Sequence, residues 1–410
     1  MNNIEGQRRK EKEPKIFSNT ILAVDVDGVL IQPIAYRQAI NKTVSFFAEK
    51  LGIDPQEYTL DDENKTFGRS MSHFEANGIH DPWDVSAIIV ALMRLKKEGV
   101  DISCGEALEI YKKNPDKKAH PPETILMEFK GRYEGKIPEK TLAEIIQDLS
   151  DTRDAVKNSI TGVFQEYILG AKIFEKTYGK KNQTGTAESL INTQDRLLIN
   201  FAGLGILKQI KEKDGKIIIY TGRPGLPPSN VVRKRSDGYS PEAELAIEKS
   251  HIDALGPVTM GSMEWLGRTT NTPIENLTKP NPTQAVATIL SALRGKTDAQ
   301  LLVDAFEWTK NGKVPKEIQK IINKKEQKPL EIVVVEDTRS GVVAFINAQK
   351  IFNLAGLKTK IVTIGVHGGS EEKYNSFKEL AETEKIELIT CTTVNDGVQF
   401  YFDKKQKGEI

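Results

Sequence analysis

Short, continuously apolar runs punctuate this chain, and each closes on small, acidic or turn-forming residues. The first, ILAVDVDGVLI (21–31), is broken by Asp-x-Asp-Gly. That pattern predicts a buried strand ending in a Gly-containing turn. KIIIYTG (216–222), ALGPVTMG (254–261), EIVVVED (331–337), KIVTIGV (360–366) and IELITC (386–391) repeat the pattern. These runs are β-branched and do not alternate with polar residues, as expected of parallel strands covered on both faces. Helix-like stretches lie between them, such as 281–295 and 339–351. The alternation predicts an α/β fold built on a doubly wound, mainly parallel sheet.

Residues 34–199 read differently. Helical spacing of apolar positions recurs at 36–53, 82–99, 106–112 and 154–179, with no convincing strand. The expectation is an all-helical domain inserted after the first strand, with the core formed by 19–33 and 200–410. A polar, Gly-containing connection (176–190) leads back to that core, and KKNPDKKAHPPE (112–123) predicts an exposed loop. The Lys-rich stretch at 308–329 reads as a solvated helix face within a further insertion. Residues 1–18 are expected to be a disordered tail, because the charged MNNIEGQRRKEKEPK lacks the apolar segment of a signal peptide. No repeat of fixed period is present.

Charge narrows the function classes. Lys+Arg (58) nearly balances Asp+Glu (57), for a net +1 across 410 residues. Such a chain has no global field for gripping nucleic acid or an anionic membrane, so attraction for phosphate must be local. No aromatic–basic stripe suggests nucleic-acid binding, and no apolar run reaches the roughly 18 residues of a membrane span. Two cysteines, Cys104 and Cys391, stand far apart, which excludes a disulfide framework and suggests a reducing, cytoplasmic compartment.

The candidate chemistry lies at the strand ends, where ligands bind in open α/β sheets. The first strand ends in Asp25-Val26-Asp27-Gly28. In extended chain Asp25 and Asp27 would point to one side and repel unless a cation joins them. Oxygen ligands of this kind suit Mg²⁺. The second strand ends in Thr221-Gly222-Arg223, where a hydroxyl and backbone N–H groups are able to hold phosphate oxygens. Lys279 precedes a helix start set by proline, and Glu336-Asp337 close the EIVVVED strand. Each piece alone has a plainer reading, such as a helix cap, a turn or a solvated lysine. Their ordered recurrence at strand ends is what argues for a site.

This ordered set resembles the four motifs of the haloacid-dehalogenase-like (HAD) superfamily, over roughly 19–33 and 200–400. The resemblance implies a Rossmann-like core and makes Asp25 the nucleophile and Asp27 the general acid/base. It gives Thr221 and Lys279 the task of stabilising charge on the transferred phosphoryl group. It implies Mg²⁺ held by Asp25, Asp337 and the backbone carbonyl of Asp27, with Glu336 supporting the shell through water. The helical insertion resembles the family's cap domain. The implied reaction is hydrolysis of a small phosphorylated metabolite through an aspartyl-phosphate. An acid at position 27 suits an oxygen leaving group and disfavours dehalogenation. A sugar phosphomutase and a non-catalytic binding protein on the same core stand as alternatives. The oligomeric state is not indicated.

Substrate choice would fall to the helical insertion, where three residues stand out. Arg69 either contacts an anionic group of the substrate or makes a salt bridge at the surface. His80 is either a ligand contact or an ordinary loop histidine. Asp84 either contributes to specificity or caps the helix that follows.

Overall fold

The computed structural model describes residues 16–60, 71–77, 79, 81–113, 120–324 and 328–410. The chain divides into two compact units, one formed by Met1–Gln32, Leu197–Val231 and Ile247–Ile410, the other by Pro33–Arg196 and Val232–Ala246.

The first unit is α/β. Its strands are β1 (Thr20–Val24), β4 (Lys216–Tyr220), β5 (Leu255–Val258), β6 (Leu330–Glu336), β7 (Thr359–Val366) and β8 (Glu387–Cys391). They form a six-stranded sheet in the order β5-β4-β1-β6-β7-β8, with every neighbouring pair parallel. Each follows from one of the apolar runs. The short β2 (Ile31–Gln32) and β3 (Arg196–Leu197) form a separate ribbon.

Side-chain alternation sorts the sheet into two faces. Ile21, Ala23, Ile218, Tyr220, Ile332 and Val334 share one face and pack into a single core with Val286, Leu290 and Phe345. The helix Pro282–Arg294 lies at the centre of that layer, starting from Asn281, whose side chain accepts the Thr283 N–H, with proline at the first helical position. The helices Phe201–Glu212 and Val394–Lys407 pack on each other and on β4, β7 and β8. The sheet therefore carries helices in number, as the continuous apolar strands require.

Two expectations for this unit change. Phe17 is fully buried and stacks on Phe402 with ring centroids 5.7 Å apart, so ordered packing begins inside the segment expected to be a tail. Residues 1–15 of that tail lie outside the described residues. The Lys-rich stretch is only partly a solvated face. Lys310, Lys313, Lys316 and Lys320 are exposed, but Trp308 and Ile318 enter the core.

The second unit is helical, with the helix Pro82–Lys97 buried along almost its whole length against Ala35–Leu51, Glu139–Leu149 and Ser159–Leu169. The helix expected over 154–179 is two, Ser159–Leu169 and Ala171–Tyr178. Gly170 separates them at φ 72°, and a Cβ there would lie 2.7 Å from the backbone of Glu188 and Ser189. The backbone of 187–189 thus occupies the space a continuing helix would need. The expected loop at 112–123 is shorter, because Cys104–Lys113 and Pro121–Tyr133 are helical at its ends, while 114–119 lie outside the described residues. The segment Val232–Ala246 joins this unit through Glu242, a buried carboxylate that accepts from Gln165 Nε2 and the Tyr36 hydroxyl, each at 2.6 Å. No helix among the described residues is long and apolar enough to cross a membrane.

Candidate active site at the carboxyl ends of the central strands

Register brings the strand ends together. Val24 pairs with Ile219 on β4 and with Val335 on β6. One residue further on, Asp25 therefore stands beside Tyr220 and Glu336, and its N–H donates to Val335 O at 3.0 Å. All three side chains extend the core-facing row of their strands, so the row that is apolar below becomes ionisable at the rim.

Lys279 ties these groups together. Its Nζ donates to Asp25 Oδ2 at 2.8 Å and to Glu336 Oε1 at 3.0 Å, and lies 4.2 Å from the centroid of the Tyr220 ring. Burial works to lower the Lys279 pKa, but the two carboxylates outweigh it and hold the ammonium above its ordinary value. Burial first, and then the charge of Asp25, pushes Glu336 well above the ordinary carboxylate range. Burial likewise raises Asp337, against the opposing pull of Lys373, whose Nζ donates to Asp337 Oδ2 at 2.5 Å. Tyr220 is raised by burial and by the Glu336 and Asp25 charges.

Carboxylate oxygens of Asp25, Glu336 and Asp337 lie within 4.8 Å of one another. One oxygen of Glu336, Oε2, is buried with no hydrogen-bond partner among the described residues, whereas Oε1 accepts from Lys279 and from Thr338 Oγ1 at 2.6 Å. Two glycines keep the acids in place. A Cβ on Gly341 would lie 1.7 Å from Glu336 Oε1, and one on Gly28 would lie 2.2 Å from Asp337 Oδ2. Gly28 also needs its positive φ of 72° for the turn after β1.

That turn corrects the idea of an extended Asp25-Val26-Asp27. The strand stops at Val24, and Leu30 and Ile31 N–H groups donate back to Val26 O. The Asp27 carboxylate leaves the three-acid group and accepts from Arg223 Nε at 2.8 Å and Nη2 at 2.5 Å. The Arg223 side chain is only 1% exposed, against 34% for Asp27, so the guanidinium is a fixed partner for a more accessible acid. Thr221 is buried, and its Oγ1 accepts the Arg223 N–H at 3.1 Å. Arg223 and Lys373 are the contributors that sequence reasoning missed. Arg223 stood within a motif already noted, but Lys373 has no local signal.

In the helical unit, Arg69 and His80 lie outside the described residues. Asp84 is not a helix cap. Asp81 caps the helix by accepting the Trp83 N–H at 2.9 Å, ahead of Pro82. Asp84 is buried and accepts from Thr152 Oγ1 at 2.5 Å, with His120 Nε2 3.0 Å from its other oxygen. Arg153 Nε lies 3.3 Å from Asp81. Burial, reinforced by Asp84, raises the Asp81 carboxyl to about 7.

No protein-family model and no curated protein sequence matches the chain. A crystal structure determined as a target of the Northeast Structural Genomics Consortium is similar in fold. The match covers 95% of this chain and 99% of that one, with a TM-score of 0.54 at 17% identity. At that identity the likeness concerns architecture alone.

Proposed function

We propose that the protein is a divalent-metal-dependent phosphoric monoester hydrolase of the HAD-like type, with Asp25 as a nucleophile that is transiently phosphorylated. The observation that carries this reading is the convergence of Asp25, Lys279, Glu336 and Asp337 at the rim of three adjacent parallel strands. Three closely spaced carboxylates with a buried, unpartnered oxygen on Glu336 suit a hard cation such as Mg²⁺. Asp25, Asp337 and the Asp27 carbonyl would hold it, with Glu336 behind them. When bound, the cation would offset the repulsion between the nucleophile and a phosphate dianion.

The remaining steps belong to the chain's own residues. An Asp25 oxygen forms a bond to phosphorus as the bond to the leaving oxygen breaks. Asp27, oriented by Arg223, supplies the proton to that oxygen. Asp27 then takes a proton from water, whose oxygen attacks the aspartyl-phosphate and frees Asp25 and inorganic phosphate. Lys279 neutralises charge on Asp25 and the incoming phosphate. Thr221, whose oxygen already accepts a hydrogen bond, keeps its hydroxyl proton for a phosphoryl oxygen. The helical unit, inserted after β1, would serve as the cap that selects among small phosphorylated metabolites. The near-neutral charge supports neither nucleic acid nor membrane as partner, and the two buried thiols suit a cytoplasmic setting.

A screen of phosphorylated metabolites with Mg²⁺, reading phosphate release, tests the proposal. Wild-type protein should release phosphate from a subset of compounds, and Asp25→Asn should release none and form no phosphoenzyme. Full turnover by Asp25→Asn would refute the mechanism. Phosphate transfer that requires a sugar bisphosphate would reassign the protein as a phosphomutase.

A further inference from the structure

We infer that Lys373 is a built-in competitor for the metal site, its ammonium and a divalent cation taking turns at Asp337 Oδ2. The inference rests on the metal-dependent reading above and adds a residue that sets how tightly the cation is held.

Among the described residues two lysines touch the acidic group, and they differ in kind. Lys279 has two carboxylate acceptors, lies against the Tyr220 ring and has a side chain only 14% exposed. Moving it would strand buried charge, so it is a permanent member of the site. Lys373 has one acceptor in the group, Asp337 Oδ2 at 2.5 Å, and its side chain is 43% exposed. It can swing its ammonium into water without opening a cavity. It stands on the first turn of the helix Glu371–Glu384, just after Gly368 and Gly369. Both glycines have positive φ, and a Cβ on either would meet nothing within 4 Å. The backbone ahead of Lys373 therefore has open space beside it.

The Asp337 carboxylate has room because Gly28 carries no side chain, and Lys373 Nζ lies 2.5 Å from its Oδ2. A divalent ion taking Asp337 Oδ2 would meet the ammonium at close range, and the repulsion between the two cations favours the state in which Lys373 has swung into water.

Mn²⁺ binding to the full-length protein, followed by the electron paramagnetic resonance signal of free Mn²⁺, tests this. Lys373→Met keeps the stem and removes the charge. It should bind Mn²⁺ about three- to fivefold more tightly than wild type, the upper part of the range of a partly exposed ion pair. Lys378→Met removes an equal charge from the same helix and should leave the affinity within about twofold. Lys373→Met should also melt lower than wild type in EDTA and level with it in saturating Mn²⁺. Unchanged or weaker binding by Lys373→Met, at a site that Asp337→Asn abolishes, would overturn the competitor role and leave the metal site standing. Absence of saturable binding in wild type would overturn both.

Discussion

Lys279→Met is the most informative single change in the core unit. Methionine fills nearly the same space, so the variant removes a charge and two hydrogen bonds without opening a large void. Those bonds run to Asp25 at 2.8 Å and Glu336 at 3.0 Å, whose side chains are 7% and 0% exposed. Removing one partner from a buried ion pair costs about 3–5 kcal/mol, because the remaining charge is left in low dielectric. The lost cation–π contact with Tyr220 at 4.2 Å adds to this. For a unit of this size, the loss corresponds to a fall in melting temperature of roughly 10 °C. The deficit should depend on pH in a defined direction. Glu336 is already raised by burial and by Asp25, and Lys279 is what restrains it. Without Lys279 it rises further, so the folded variant holds this proton to a higher pH than the folded wild type does. Stability is then lost as pH climbs above the ordinary carboxylate range, and the deficit is larger at pH 8 than at pH 5.5. Thermal melts of wild type and Lys279→Met in EDTA at those two pH values provide the assay. Melting within about 2 °C of wild type at pH 8 would show that Lys279 does not compensate the two acids, and the account of the site would fail.

Three further outcomes can be checked. Asp27→Asn should keep divalent-cation binding but lose at least about 100-fold in steady-state phosphate release; an unchanged rate would remove Asp27 from proton transfer. Gly28→Ala forces a Cβ to within 2.2 Å of Asp337 Oδ2 at a φ of 72°, so calorimetric Mn²⁺ titration should record at least about tenfold weaker binding, and wild-type affinity would contradict the packing described. Asp81→Asn preserves the acceptor for the Trp83 N–H and removes a carboxyl raised to about 7 by burial and Asp84. Wild-type stability should decline between about pH 4 and pH 7 as this group is forced to ionise in the fold, and the variant should lack that decline. The raised value already includes the opposing pull of Arg153, so urea titration should find Asp81→Asn more stable at pH 8, by about 1–2 kcal/mol after solvent screening, with the gap closing near pH 4. A less stable variant at pH 8 would reverse the sign argued here.

Much of the core was legible because strands and turns are local. An apolar, β-branched run such as EIVVVED can bury both faces only as an inner parallel strand, and it does so as β6. Asp25, Thr221, Glu336 and Asp337 could be placed at strand ends for the same reason, since each directly follows or closes such a run. Helical spacing likewise located Pro82–Lys97 and Pro282–Arg294. What the sequence left open depends on partners distant along the chain. Nothing near Gly170 announces that the backbone of 187–189 will pass against it and break the helix. Asp84 sits where a cap is plausible, but packing buries it against Thr152 and His120, and Asp81 takes the cap. Arg223 meets Asp27 from 196 residues away, and Lys373 reaches Asp337 from a helix whose own pattern is that of an exposed surface. The period of side chains along a strand is set by its own residues, whereas which charges meet at its end is set by register and packing across the sheet.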